Sequence, residues 1–324
     1  MLLLLNPSNT IQLHYWFGDS SHEMNAFVQN KCEYEFLGII KEISNHFGCE
    51  VIIETSPLTE GGLQRWFKVL SKTENSKAII TTAVITSIAT QIFINPLGKL
   101  SEKFIEKIFE DKEKIAQEES IRSKEEEKLD LEIRELKSKS LKNLDTLSSN
   151  NLLKKKRSNY YEALEKYPKV IKVSFNHTNS NFEIIQGEVN RNEFQKYILA
   201  TDDLPSIKVD NAIIEIISPV LKKGKYKWMG IYNGESIPFN MKSVEYKIMI
   251  QSGEIKFVNG TSINCLLEIR RKIDSEGVEK IVSYDVLRVN SYFENEKPIE
   301  TPEGKKHRKA KERSEKQLKL FNEE

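Results

Sequence analysis

The sequence predicts an α+β protein with a small N-terminal α/β domain, one transmembrane helix, a long charged helix and a β-rich, barrel-like C-terminal domain. Two observations lead to this prediction. Between Lys77 and Lys99 there is no charged residue, although 30% of the whole chain is charged. From Pro168 to about residue 295 the spacing of apolar residues changes from helical to alternating, which is typical of strands.

Residues 1–76 predict the small α/β domain. The segment 10–17 alternates apolar and polar residues, so a strand is expected there. Apolar residues then recur at helical spacing as far as Gly48, which predicts a helix that ends at that glycine. A second strand is expected at 51–54, and a short helix at 63–70.

The segment 77–99 has the length of a membrane-spanning helix. About 20 uncharged residues at ~1.5 Å per residue cover the ~30 Å hydrocarbon core of a bilayer. One face of the helix is aliphatic, and hydroxyl and amide side chains lie on and beside the other, so several copies would place that polar face around a shared pore. The predicted pore-lining residues are Thr82, Thr86, Ser87, Thr90 and Gln91. The alternative is a helix buried in a soluble core, where mixtures of Ile and Thr are common.

Residues 100–157 predict a charged helical stalk or linker. Apolar residues recur among Glu and Lys from Ser101 to about Lys139, as in an imperfect coiled coil. A solvated single helix is the alternative. The cluster 154–157, Lys-Lys-Lys-Arg, has the composition of a site for anionic lipid or nucleic acid, or of a solvated surface.

Residues 168–295 predict a β-rich ligand-sensing domain. Asn233-Gly234 and Asn259-Gly260 each lie between strand-like runs and are typical hairpin turns. A third turn is expected at 274–277, and a short helix at 241–250. These elements together indicate a barrel or a strongly curved sheet.

One stretch of this domain alternates lysines with aromatic residues. Cations suit a phosphate backbone and aromatic rings suit stacked bases, so a nucleotide-binding site is predicted there. An edge strand that carries lysines to prevent aggregation is the alternative. The predicted site comprises Lys222, Lys223, Lys225, Tyr226, Lys227, Trp228 and Tyr232.

Composition and motifs favour no catalytic chemistry. The net charge is +1, so the chain as a whole has no strong field toward nucleic acid or an acidic surface. Its three cysteines are dispersed, without the spacing of a metal site, which fits a reducing compartment. Because no phosphate-binding loop, dinucleotide fingerprint or hydrolase motif occurs, we expect no enzyme activity, no cofactor and no metal site.

The basic and mixed tail, 296–324, ends in a second candidate motif. Gln317-Leu-Lys-Leu-Phe321 resembles the pentapeptide with which many bacterial proteins bind the DNA polymerase sliding clamp. In this interpretation Leu318, Leu320 and Phe321 would enter an apolar pocket and Gln317 would set the register. A terminal apolar cluster that packs back on its own domain is the alternative.

The order of these parts, with phrases such as GKYKWMGIYNGE and FVNGTSINCLL, resembles the membrane effectors that accompany nucleotidyltransferases in bacterial antiphage defence. Hailong-type channel effectors have the most similar layout. This resemblance implies a homo-oligomeric channel, such as a tetramer, in the bacterial inner membrane with the C-terminal domain in the cytoplasm. It implies gating by a nucleotide or short DNA oligomer made by the partner nucleotidyltransferase. The alternative function is a soluble nucleic-acid-associated binding or adaptor protein in which 78–97 form a buried core helix.

Overall fold

The structure of the protein is a computed structural model that divides into two compact units. The first unit comprises residues 1–200 with 275–277, and the second comprises 201–274 with 278–324. The structure describes residues 10–19, 23–55, 63–72, 76–96, 100–109, 123–178, 184–220, 226–255, 260–294 and 297–321.

The first unit contains a five-stranded antiparallel sheet. Its strands run in the order β2-β3-β1-β4-β5, so β1 lies at the centre. They are β1 (Thr10–Phe17), β2 (Val51–Thr55), β3 (Leu63–Ser71), β4 (Val170–Thr178) and β5 (Ile184–Asn190).

The helices of this unit pack on the sheet through an apolar core. Asn25 caps the first helix, since its side-chain oxygen accepts from Phe27 N at 2.9 Å, and Gly48 ends that helix in the left-handed conformation. The helices are α1 (Ala26–Phe47), α2 (Ser76–Ile94), α3 (102–109), α4 (Ser123–Ser149), α5 (Asn151–Glu165) and a 3-10 helix (Arg191–Tyr197).

The predicted helix at 63–70 is wrong, because this segment forms β3 between β1 and β2. The local sequence of this segment is compatible with a helix or a strand. It forms a strand because it pairs with β1 on one side and with β2 on the other. The predicted domain boundaries also differ from the observed division. The strands β4 and β5 complete the sheet of the first unit, and the two units meet in sequence between Ala200 and Thr201.

The apolar segment predicted to cross the membrane is α2, and α2 is a core helix of the first unit. Every side chain from 81 to 90 is buried, so the helix is covered on all its faces. It contacts α1, α4 and the strands β1, β3, β4 and β5. Within the part of the chain that the structure describes, no helix has both the length and the apolar character needed to cross a membrane. The structure therefore gives no support to a transmembrane helix at 77–99.

The residues predicted to line a pore lie inside this single-chain core. Thr82, Thr86, Ser87 and Thr90 are buried, and Gln91 is partly buried. Thr86 donates to Ala83 O at 2.9 Å and Thr90 to Thr86 O at 3.0 Å, so backbone carbonyls of α2 itself satisfy both hydroxyls. A lining role for these hydroxyls would require α2 to leave the core.

The basic cluster 154–157 is also largely internal. Lys155, Lys156 and Arg157 are buried, because α5 packs against α1 and the end of α2. The ammonium of Lys156 lies 3.5 Å from the carboxylate of Glu35, a fully buried residue of α1. Buried charges of this kind need partners, and this pairing accounts for Lys156 without a lipid or nucleic acid.

The second unit is a β-barrel with two helices, which confirms the α+β class. Its strands pair in the order β6-β7-β8-β10-β9, and β9 pairs again with β6 to close the barrel. All pairs are antiparallel except β8 with β10. The elements are β6 (Asp203–Ser218), β7 (Trp228–Tyr232), β8 (Glu235–Met241), α6 (Val244–Gln251), β9 (Ser262–Ile273), β10 (Glu279–Glu294), β11 (Lys297–Glu300) and α7 (Pro302–Phe321).

Local sequence signals account for several of these elements. Asn233 and Gly234 have φ values of 49° and 83° and form the tight turn between β7 and β8, as predicted. The predicted short helix at 241–250 is α6, which Ser243 caps by accepting from Tyr246 N at 3.1 Å. The strand β11 adds to the edge of β10 outside the closed barrel.

Candidate nucleic-acid interface

The outer surface of β6, β7 and β8 carries a band of apolar side chains. Ile213 and Ile217 of β6 are 47% and 53% exposed. On β7 the alternate residues Met229 and Ile231 are partly exposed, while Trp228 and Gly230 face the core. Pro238 of β8 is exposed opposite Met229. We call the five outward-facing residues the barrel face: Ile213, Ile217, Met229, Ile231 and Pro238.

The segment 219–227 connects β6 to β7, and its described residues, 219–220 and 226–227, adjoin the ends of these two strands. Tyr226 is 67% exposed, and Lys227 beside it is exposed as well. This segment carries most of the lysines and one tyrosine of the predicted nucleotide site. Lys222, Lys223 and Lys225 lie outside the described residues.

Two aromatic residues of the predicted site belong to the barrel interior. Trp228 is 2% exposed, and its ring centre lies 6.0 Å from that of Phe239 in the core. Tyr232 is partly buried, 6.4 Å from Tyr284. The prediction that Trp228 stacks on a base is therefore corrected, since strand alternation points its indole inward. Tyr226 is the exposed ring of the set.

A buried carboxylate, which sequence patterns did not indicate, links three strands of the barrel. Asp285 of β10 is 2% exposed and accepts from Asn240 of β8 at 2.5 Å. Its other oxygen lies 3.2 Å from the Arg270 guanidinium of β9. Next to Arg270, a hydrogen bond from Ser206 helps to lower the pKa of Glu268. Because Asp285 is hydrogen-bonded and ion-paired, we assign it a structural role.

Two of the three cysteines, Cys32 and Cys265, are buried in the cores of the two units. Burial raises the pKa values of Cys32 and Cys265 to about 12, so both thiols stay protonated at neutral pH. Across the described ranges, no group of three or more His, Cys, Asp or Glu side chains is placed to hold a metal ion.

The predicted sliding-clamp motif lies at the end of α7. The backbone of Gln317, Leu318, Leu320 and Phe321 is helical. The placement of these four side chains lies outside what the structure describes. Clamp binding therefore stays a prediction.

The strand order and directions of the second unit define a class of domain. The first strand of the barrel, β6, pairs with the second, β7, and with the fourth, β9. The third strand, β8, runs parallel to the fifth, β10, and α6 lies in sequence between the third and fourth strands. This is the connectivity of the OB fold, a five-stranded Greek-key barrel. The assignment rests on this order alone. Comparisons with protein-family models, curated proteins and solved structures find no match to the chain.

Proposed function

We propose that the protein binds single-stranded nucleic acid on the barrel face and the segment 219–227. One observation carries this proposal. The lysine- and tyrosine-rich segment is the connection between the first and second strands of a five-stranded barrel. In OB folds this connection and the adjoining strands contact oligonucleotides.

The chemistry of the two surfaces supports the proposal. The sequence of the segment supplies four lysines, at 222, 223, 225 and 227, whose positive charge suits phosphates, and the barrel face supplies a half-exposed apolar band. Ile213, Ile217 and Met229 offer flat aliphatic surface to bases, and Tyr226 adds an aromatic ring. Such a site binds without strong sequence preference, because every base has an apolar face.

The channel function stays a prediction. The hydroxyl side chains assigned to its pore lie in the core of one chain, so they lend it no support. Homo-oligomerisation, an inner-membrane location and a partner nucleotidyltransferase also stay predictions. The ligand expected from the resemblance, a nucleotide or short DNA oligomer, has the same chemistry as the ligand proposed here.

Removing the four lysines tests the proposal directly. We expect K222A/K223A/K225A/K227A in the full chain to weaken binding of a labelled oligothymidylate by roughly 100-fold at ~0.1 M salt. The slope of log K against log salt should fall by about 3, because each phosphate contact on a single strand contributes ~0.7. Fluorescence anisotropy across a salt series measures both quantities.

A variant with the same charge loss in the first unit is the matched control. Lys103, Lys107, Arg134 and Lys142 are exposed, so K103A/K107A/R134A/K142A should leave affinity and slope nearly unchanged. If the wild-type chain binds no oligonucleotide, or both variants lose affinity equally, the proposed function is wrong.

Stacking by Tyr226 makes a separate prediction. Tyr226→Ala should weaken oligonucleotide binding by about 5- to 150-fold, which corresponds to ~1–3 kcal/mol for one stacked base. Tyr226→Phe keeps the ring and should bind almost as tightly as the wild type. Equal affinity of the alanine and phenylalanine variants would exclude stacking at this position. Thermal melts should be unchanged in both, because the ring is exposed.

A further inference from the structure

The first turn of α7 is anchored on the barrel by several hydrogen bonds. Thr301 caps the helix by accepting from Gly304 N at 3.0 Å, and its hydroxyl also donates to the carbonyls of Val289 and Asn290. Glu303 accepts from Val289 N at 2.7 Å and from the Ser243 hydroxyl. These bonds fix where the helix starts and in which direction it leaves the barrel.

The fit at this anchor is close. A Cβ atom on Gly304 would lie 2.0 Å from the Asn290 carbonyl oxygen, so no larger residue fits there. The amide of Asn290 donates to Asn264 of β9 at 2.9 Å, and Asn264 is the register partner of Ile213. The anchor of α7 therefore lies next to the edge of the barrel face.

Residues 305–315 of α7 form a basic arm at the surface of the second unit. All side chains from 305 to 315 are exposed. This stretch contains six Lys or Arg residues and two Glu residues, a formal charge of +4, whereas the whole chain carries only +1. A helix that is polar all round gains little from packing, so such an arm suits a charged partner.

The charges of the arm differ between its faces. Arg308 is paired with Glu300 at 2.9 Å and with Glu312 at 2.9 Å, and Lys306 is paired with Glu245 at 2.8 Å. Lys306 and Arg308 lie about 200° apart around the helix, so these pairs neutralise charge on two different sides of α7. The Arg308 bond lowers the pKa of Glu300.

Lys305, Lys309 and Arg313 follow one another at four-residue spacing along the arc of the helix between Arg308 and Lys306, and we call them the basic stripe. No ion pair within 4.0 Å of these three groups occurs among the described side chains. Like charges at this spacing destabilise a helix unless an anion lies against them. Their rise of ~6 Å per step is close to the separation of successive phosphates along an extended strand.

We propose that the basic stripe binds the phosphate backbone of the same nucleic acid whose bases contact the barrel face. This inference rests on the proposed function and extends the site by the ~12 Å that the stripe spans along α7. The barrel face contacts bases, and the stripe holds the strand as it leaves the barrel.

The test compares oligothymidylates of about 6 and about 20 nucleotides on the full chain, since one OB barrel covers ~4–16 nucleotides. We expect K305Q/K309Q/R313Q to weaken binding of the long oligomer by roughly tenfold or more and to lower its salt slope by about 2. Binding of the short oligomer should be nearly unchanged. The control K306Q/R308Q/K311Q removes the same charge from positions of α7 outside the stripe and should have a clearly smaller effect.

The outcomes separate the two proposals. Equal losses of affinity in the two α7 variants, or equal losses for both oligomer lengths, would overturn the stripe proposal. Weaker binding by K222A/K223A/K225A/K227A would then still support the site on the barrel. Absence of any oligonucleotide binding by the wild type would overturn both proposals. Binding of the wild type to phosphatidylserine vesicles but not to oligonucleotides would assign the stripe to a membrane surface and overturn its role here. Circular dichroism confirms that α7 remains helical in each variant.

Discussion

Replacing Phe93 by alanine is expected to lower the free energy of unfolding of the first unit by about 3–5 kcal/mol. Phe93 lies near the C-terminal end of α2 and has no exposed surface. Its ring centre lies 4.8 Å from Phe175 of β4, 4.9 Å from Tyr160 of α5 and 5.3 Å from Phe36 of α1. The ring therefore joins four elements, and its removal leaves a cavity that none of them can fill alone.

Urea titration of the full chain measures this effect. Trp16 and Trp66 report on the first unit by fluorescence, and Trp228 reports on the barrel. Phe27→Ala is the matched control, because Phe27 is 84% exposed at the start of α1 and should change stability by less than ~0.5 kcal/mol. If Phe93→Ala costs less than about 1 kcal/mol, α2 is not held in this core.

Replacing Arg157 by methionine should destabilise the first unit by about 2–4 kcal/mol, because it removes the guanidinium donor from the carbonyls at the buried end of α2. The last carbonyls of a helix have no partner within it. Arg157 donates to Asn95 O at 2.8 Å and lies 3.5 Å from Ile92 O. Burial lowers the pKa of its guanidinium, whose central carbon lies 5.8 Å from the centre of the Tyr197 ring.

Two tyrosines complete this cap. Tyr161 donates to Phe93 O at 2.7 Å, and Tyr197 donates to Ile94 O at 2.9 Å. Methionine keeps most of the volume of the arginine side chain, so the expected loss comes from the missing hydrogen bonds and not from a cavity.

Thermal unfolding followed by circular dichroism measures the effect of Arg157→Met. A cost of ~3 kcal/mol corresponds to a fall of about 6–12 °C for a unit of this size. Arg134→Met, at an exposed position of α4, should shift the transition by about 1–2 °C at most. Equal shifts in the two variants would show that the guanidinium does not stabilise the end of α2.

Elements with local signals were predictable from the sequence. The alternation of 10–17 predicted β1, Gly48 marked the end of α1, Asn233-Gly234 marked the β7–β8 turn, and the predicted helix at 241–250 is α6. In each case neighbouring residues determine the conformation, through side-chain alternation, a left-handed cap or a turn that needs positive φ. The lysine-rich segment at 219–227 was likewise visible as a candidate site.

Elements defined by distant partners were not predictable. A run of about 20 uncharged residues is compatible both with a membrane-spanning helix and with a helix in a protein core. The hydrogen-bond donors at the C-terminal end of α2 come from residues 62 to 103 positions away in the sequence. The strand β3 resembled a helix until its two neighbours were known. The basic cluster at 154–157 appeared to be a surface until Glu35 and the end of α2 were placed beside it.

The candidate site shows the same division. The sequence by itself determined that lysines and aromatic rings are concentrated between 222 and 232, because composition is local. Only the tertiary structure decided which rings are available, since the register that pairs Trp228 with Phe239 turns the indole into the barrel and leaves Tyr226 exposed. Closure of the barrel through β9 and β6, and anchoring of α7 on β10, depend on contacts between residues far apart in the chain. Local sequence carries no record of such contacts, so these features appear only when the chain is folded.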